Sequence, residues 1–111
     1  MHIHMADWSS MEWQAVRAGV ERKVFSAAGS TIALNRLWPG HLPLPHSHIH
    51  EQIVYIIEGQ VDFHIGSELI RLGPGGLAVV PANVTHYAEV VGDKPVINLD
   101  VFTPARPEYV S

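Results

Sequence analysis

The sequence predicts an all-β fold, a sandwich or barrel of short strands. Apolar and β-branched runs of four to eight residues recur along its 111 residues, and turn residues separate them. Helical spacing appears only weakly, at Trp8, Met11 and Ala15. A content of 47% hydrophobic residues suits one core, and the length is too short for two ordinary domains.

The elements follow in order. Asp7 to Ala18 reads either as a helical turn or as a loop leading into an edge strand. Val20 to Phe25 and Thr31 to Trp38 are strands on either side of a turn at Ala27 to Ser30. Glu51 to Ile57 and Gln60 to Ile65 make a hairpin about Glu58-Gly59, and Gly66-Ser67 turns the chain into Glu68 to Leu72. After the LGPGG segment come Leu77 to Val80, Thr85 to Val91 and Val96 to Phe102. The expected organisation is a single domain over 1–111, with an N-terminal arm at 1–19, the barrel at 20–103 and a tail at 104–111. No linker, repeat or low-complexity tract interrupts it.

Composition excludes several functions. A net charge of −4, a pI near 6.0 and no Lys/Arg-rich run argue against a nucleic-acid partner. The chain has no cysteine, hence no disulfide scaffold and no thiolate nucleophile or ligand. No apolar run reaches the roughly 18 residues of a membrane span, and the N-terminal MHIHMADW lacks the regions of a signal peptide. The expected location is the cytoplasm.

Chemistry concentrates between Gly40 and Gly59, GHLPLPHSHIHEQIVYIIEG, where His46, His48 and His50 fall on alternate positions and Gln52 follows on the same parity. Side chains two apart share a face of an extended strand, so these groups can converge on one point. Neutral imidazoles on a rigid sheet outline a metal site, with a further donor required from elsewhere in the chain. Eight histidines in one small chain also produce close pairs without function, and exposed clusters occur in loops. Against that, Pro43 and Pro45 stiffen the approach, and the β-branched run from Ile53 makes the histidines the opening of a buried strand.

These residues resemble the small cupins. Their first motif, G-x5-H-x-H-x3-E-x6-G, is matched by Gly40, His46, His48, Gln52 and Gly59, with Gln52 in place of the usual Glu. Their second, G-x5-P-x-G-x2-H, is matched by Gly75, Pro81, Asn83 and His86, with Asn83 replacing a glycine. Asn tolerates left-handed backbone best after Gly, so that departure costs little. A further Asn of the family pattern is Val90 here. The resemblance implies a cupin double-stranded β-helix, or jelly-roll barrel. It also implies one divalent transition metal, zinc, nickel, manganese or iron, held by His46, His48, Gln52 and His86.

Three imidazoles and a carboxamide leave the ion its full charge and open positions for a chelating ligand. His50 lies outside the family pattern and is a pocket or supporting candidate. His41 and His64 read as ordinary residues, and His2 and His4 lie near a terminus expected to fray.

Ile53 to Ile57 are apolar on both parities, so both faces of that strand are expected to be buried. Packing between the sheets covers one. Either a second protomer, since small cupins commonly pair through a sheet, or the chain's own N-terminal segment covers the other. Trp8, Trp13 and Trp38 fit either arrangement as cap or interface residues.

In the tail, alternation places Asn98, Asp100 and Phe102 on one face and aims Asp100 into the barrel. A carboxylate there must be paired or used, and Arg106 is its natural partner in sequence. The run Asp100, Phe102, Pro104, Arg106 with Tyr109, together with HSH-x-HEQ at His46 to Gln52, is similar to the small pectin-degradation cupins of the KdgF type. Departures are Thr103 for Ser, Pro107 for an acidic residue and Tyr109 for Phe.

That narrower resemblance implies an isomerase-like enzyme opening the ring of a 4,5-unsaturated uronate to a linear keto acid. Asp100 would be the acid/base, Arg106 the bidentate grip on the substrate carboxylate, and Phe102 the packing surface for the sugar. The partners it implies are a sugar acid and a second protomer. An iron-dependent cupin dioxygenase and a non-catalytic small-ligand-binding cupin are the alternative readings. Gln52 in place of Glu weighs against the first, and a chain with no room for a DNA-binding domain weighs against the second.

Overall fold

A computed structural model describes residues 4–109 and folds them into two antiparallel sheets. The strands are β1 Gln14–Arg17, β2 Val20–Ser26, β3 Thr31–Leu37, β4 Glu51–Glu58, β5 Gln60–Ile65, β6 Glu68–Leu72, β7 Leu77–Val80, β8 His86–Val91 and β9 Val96–Thr103. One sheet runs β1-β2-β3-β9-β4-β7 and the other β6-β5-β8. The predicted strands appear within a residue at each end. The arm resolves into a short 3-10 turn at Trp8–Ser10 and the edge strand β1 paired to β2, so both readings of Asp7 to Ala18 hold in part. His2 lies outside the described residues.

Turn chemistry sets the hairpins. Gly59 bridges β4 and β5 at φ 82°, and a Cβ there would meet the Pro95 carbonyl oxygen at 2.6 Å. Asn83 adopts φ 65°, the left-handed conformation expected of it, and its N–H donates to the His48 carbonyl at 2.7 Å. The loop before β8 therefore holds the loop before β4.

The core lies between the sheets, where Val54, Ile56, Val61, Phe63, Val80 and Val96 are buried. Each contributes about 1.5–3 kcal/mol by leaving water. Register sorts the large sheet into two faces. Inward point Arg22 and Val24 of β2, Thr31, Ala33 and Asn35 of β3, Gln52, Val54 and Ile56 of β4, and Asn98, Asp100 and Phe102 of β9. Polar and apolar side chains alternate over this inner face, and the polar ones, Arg22, Asn35, Gln52, Asn98 and Asp100, mark the site.

Burial on both faces of β4 is not realised within the chain. Ile53, Tyr55 and Ile57 stay 39–42% exposed, next to exposed Leu77 and Val79 of β7. The N-terminal segment crosses the other half of this outer face, where Ala6, Trp8 and Met11 form a groove with Phe25 and Ile32. It is tied there by Lys23 Nζ donating to the Trp8 carbonyl at 2.8 Å. Trp13 lies under Lys23 and Arg36, and Trp38 under Arg36.

Candidate metal centre and cavity

The histidines do not open a strand. Residues 42–50 form a loop whose one ladder contact is the bridge of His46 with His86, closed by His46 N–H to His86 O at 3.2 Å and His86 N–H to His46 O at 2.9 Å. Convergence therefore comes from loop path rather than strand parity. Pro43 and Pro45 deny this segment ladder donors, and the bridge to β8 fixes it instead.

One ring nitrogen from each of His46 and His48, in that loop, and His86, at the start of β8, lies within 4.8 Å of the others. All three rings are oriented alike. His46 Nδ1 lies 2.7 Å from the Leu44 carbonyl, His48 Nδ1 2.9 Å from that of His50, and His86 Nδ1 2.9 Å from that of Val84. A carbonyl only accepts, so each Nδ1 carries the proton and each Nε2 keeps its lone pair. His86 Nε2 is buried with no hydrogen-bond partner. A buried lone pair without a donor is costly unless something electrophilic meets it. The donor set thus fits a divalent transition ion.

Burial supports that state. It holds the His48 imidazole below its ordinary range, with Arg106 and His46 adding repulsion, and pushes His86 down to about 4. Both rings are neutral at pH 7, as metal ligands must be.

Gln52 is buried on β4, and its Oε1 lies 3.1 Å from His48 Nε2. With the proton on His48 Nδ1, the oxygen and His48 Nε2 present two lone pairs side by side, as two donors to one ion would, and the amide N–H₂ is left for a hydrogen bond to Asp100. This residue links the candidate metal ligands to the carboxylate.

Asp100 has no cationic partner among the described residues. Asn35 Nδ2 donates to its Oδ2 at 2.7 Å and Asn98 Nδ2 to its Oδ1 at 2.9 Å. Burial pushes its pKa up to about 7, against hydrogen bonds from Gln52, Asn35 and Asn98 and the charge of Arg106. The ion pair expected between Asp100 and Arg106 does not form. Arg106 Nε instead donates to Glu108 at 2.9 Å, because Pro104 and the short turn at Pro107–Tyr109 swing the tail across the barrel mouth. The Arg106 N–H is pinned to Thr31 Oγ1 at 2.8 Å, and its Nη1 is buried without a partner.

Aromatic rings wall this end. Phe102 is buried, edge-on to His48 at 5.5 Å and to Tyr109 at 5.4 Å. Tyr109 carries guanidinium groups from both Arg22, at 3.7 Å, and Arg106, at 4.0 Å. His50 is buried beside Phe102, outside the three-histidine group, and acts through the carbonyl that orients His48. His41 clamps the barrel by donating from Nε2 to the Ala88 carbonyl at 2.9 Å, and His64 pairs with Glu89 at the surface.

A cavity of about 110 Å³ opens among these groups, lined by His46, His86, Gln52, Asp100, Phe102 and Tyr109 among others. Arg17, Arg22 and Asn35 also line it, and sequence reasoning had not marked them. Their signal was parity. Arg22 alternates with Val20 and Val24, and Asn35 with Ala33 and Leu37, so each is a polar residue on an apolar face.

A family profile described as a cupin domain matches residues 33–102. The chain belongs to the cupin family. Among solved cupins, its fold is similar to KdgF from Halomonas sp., at 25% identity and TM-score 0.87, covering 97% of this chain and 99% of that one. It is also similar to an RmlC-like cupin from Shewanella frigidimarina, at 23% identity and TM-score 0.87 over 97% and 96% of the two chains. The polyketide cyclase RemF from Streptomyces resistomycificus shares the fold at 17% identity and TM-score 0.76, over 93% and 80%. None of the curated proteins compared with the chain matches it. The two-sheet architecture is thus the cupin jelly roll, with a three-histidine group that could hold a metal ion. No helix among the described residues is long and apolar enough to cross a membrane.

Proposed function

We propose that this cupin is a metal-dependent enzyme that opens the ring of a 4,5-unsaturated uronate or a closely similar sugar acid. The observation that carries the reading is Asp100, a carboxyl group with no counter-cation, linked through Gln52 to the three-histidine group and open to the same cavity. A divalent ion held by His46, His48, Gln52 and His86 would supply Lewis-acid charge to a ligand oxygen. The neutral donor set suits zinc, nickel, manganese or iron alike.

Asp100 performs the proton transfers. It takes the proton of the anomeric hydroxyl as the new carbonyl forms and the bond from that carbon to the ring oxygen breaks. The electron pair passes to the ring oxygen, giving an enolate, and the same carboxyl returns its proton to the enolate carbon. The product is the linear keto acid, with no change of redox state. A carboxyl with a pKa of about 7 is poised for both directions near neutral pH. Phe102 packs the sugar, and Arg106 lends positive charge beside Asp100 and keeps its buried Nη1 amino group unpaired.

The partner proposed is a second copy of the chain. Exposed Ile53, Tyr55, Ile57, Leu77 and Val79 form one apolar patch on adjacent strands, and an isologous contact would bury it. The functional reading is tested by incubating metal-loaded protein with unsaturated galacturonate and following loss of the conjugated chromophore. Wild type should convert it, and a wild type inert toward every unsaturated uronate would sink the proposal.

A further inference from the structure

Arg22 is an inward-facing cation of the cavity and is paired with no carboxylate among the described residues. Arg36, Arg71 and Arg106 each pair with one, Glu21, Asp62 and Glu108 respectively. Among the described residues Arg22 makes no ion pair. Its Cζ lies over the Tyr109 ring, 3.7 Å from the centroid, which positions the guanidinium while committing none of its N–H groups to a carboxylate. Arg17 of β1 lines the same cavity. Its Nε donates to the Leu42 carbonyl at 2.7 Å, which orients the group and leaves the Nη nitrogens.

Two guanidinium groups on neighbouring strands repel each other. Burial and the charge of Arg22 both hold the Arg17 guanidinium below its ordinary range. Like charges gathered in a partly buried cavity are costly unless an anion joins them. Asp100 is not that anion, since its oxygens are taken by Asn35, Asn98 and Gln52.

We infer that Arg22 and Arg17, with Tyr109 as the stacking plate, form the subsite that binds the carboxylate of the ligand. The inference rests on the reading that the ligand is a small sugar acid, and it moves the carboxylate from Arg106, whose Nε is already engaged with Glu108. An anion gripped from β1 and β2 shares its cavity with His46 and His86. A neutral sugar of the same shape leaves both cations unpaired and is rejected.

The test uses binding, independent of turnover. The full zinc-loaded chain is titrated with galacturonate and, separately, with galactose, by calorimetry and by the side-chain Nε–H signals of ¹⁵N-labelled arginines. Galacturonate should bind more tightly and should shift the Arg22 and Arg17 signals in wild type. Arg22→Gln should cut the preference for the acid by about tenfold to a hundredfold, the weight of lost charge-assisted hydrogen bonds. Arg36→Gln, on the outer face, should retain it.

Wild-type Arg22 and Arg17 signals that stay unmoved up to high millimolar galacturonate would overturn the inference without any variant needing to fold. Loss of the preference in Arg106→Gln, with its retention in a folded Arg22→Gln protein, would also overturn it. The parent reading fails differently. No turnover of unsaturated uronates together with an intact, Arg22-dependent acid preference removes the ring-opening chemistry and supports the subsite.

Discussion

Asn35 Nδ2 donates to Asp100 Oδ2 at 2.7 Å, joining β3 to β9 across the inner face of the large sheet. With Asn98 and Gln52 it surrounds the carboxyl by neutral donors, and burial raises its pKa to about 7 against their hydrogen bonds and the charge of Arg106. Asp100→Asn should therefore keep the fold and the metal while lowering uronate turnover by about a hundredfold or more. The amide loses one acceptor, at a cost of about 1 kcal/mol. Thermal melting and conversion measured side by side check this, and a variant with full activity would remove Asp100 from the chemistry.

Metal binding should depend on the loop histidines. Elemental analysis of untagged protein should find close to one divalent ion per chain in wild type and a large loss in His48→Ala or His86→Ala. Adding zinc to stripped wild type should raise Tm, by the equivalent of about 2.7 kcal/mol at a hundredfold excess over Kd. Unchanged melting with and without zinc would argue against the site.

In the metal-stripped protein the two buried titrating groups should pull stability in opposite directions with pH. His86, lowered from 6.5 to about 4, contributes stability that is present above 6.5 and lost as pH falls through about 4. Asp100, raised from 3.8 to about 7, contributes stability that is present below 3.8 and lost as pH rises through about 7. Wild-type stability should therefore vary little between those limits. Asp100→Asn removes the falling contribution, so urea unfolding in chelator should show its stability climbing more steeply from pH 4 to 6.5 than that of wild type. Parallel pH profiles would contradict the assignment.

Light scattering should report a dimer at micromolar concentration. Tyr55→Lys and Leu77→Glu place charges in the exposed patch and should shift the molecule to monomer with little loss of Tm, since neither side chain belongs to the core. A wild type that stays monomeric would leave the patch without the proposed partner.

Much of the fold was legible because strand periodicity and turn chemistry are local. Gln60–Ile65, Glu68–Leu72 and Leu77–Val80 appear at the predicted residues, bounded by Gly59, Gly66 and the Gly75-Gly76 turn. The grouping of His46, His48 and His86 was implied by the cupin resemblance, and strand parity was the wrong reason for their convergence. Proline at positions 43 and 45 made the segment a loop, and the bridge to His86 made it a site.

What the sequence by itself determined is the strand order along the chain and the inward face of Asp100, consequences of spacing within one or two elements, and through its motifs the three histidines that could hold a metal ion. Tertiary structure alone decided which charges meet. Arg106 turned to Glu108, Asp100 took Asn35 from a strand 65 residues away, and Arg22 reached Tyr109 from the opposite end of the chain. Those pairings depend on the register of β2, β3 and β9, and register is set by the packing of whole faces. A charge read along the chain shows the nearest partner in sequence, whereas the folded sheet brings it the nearest in space.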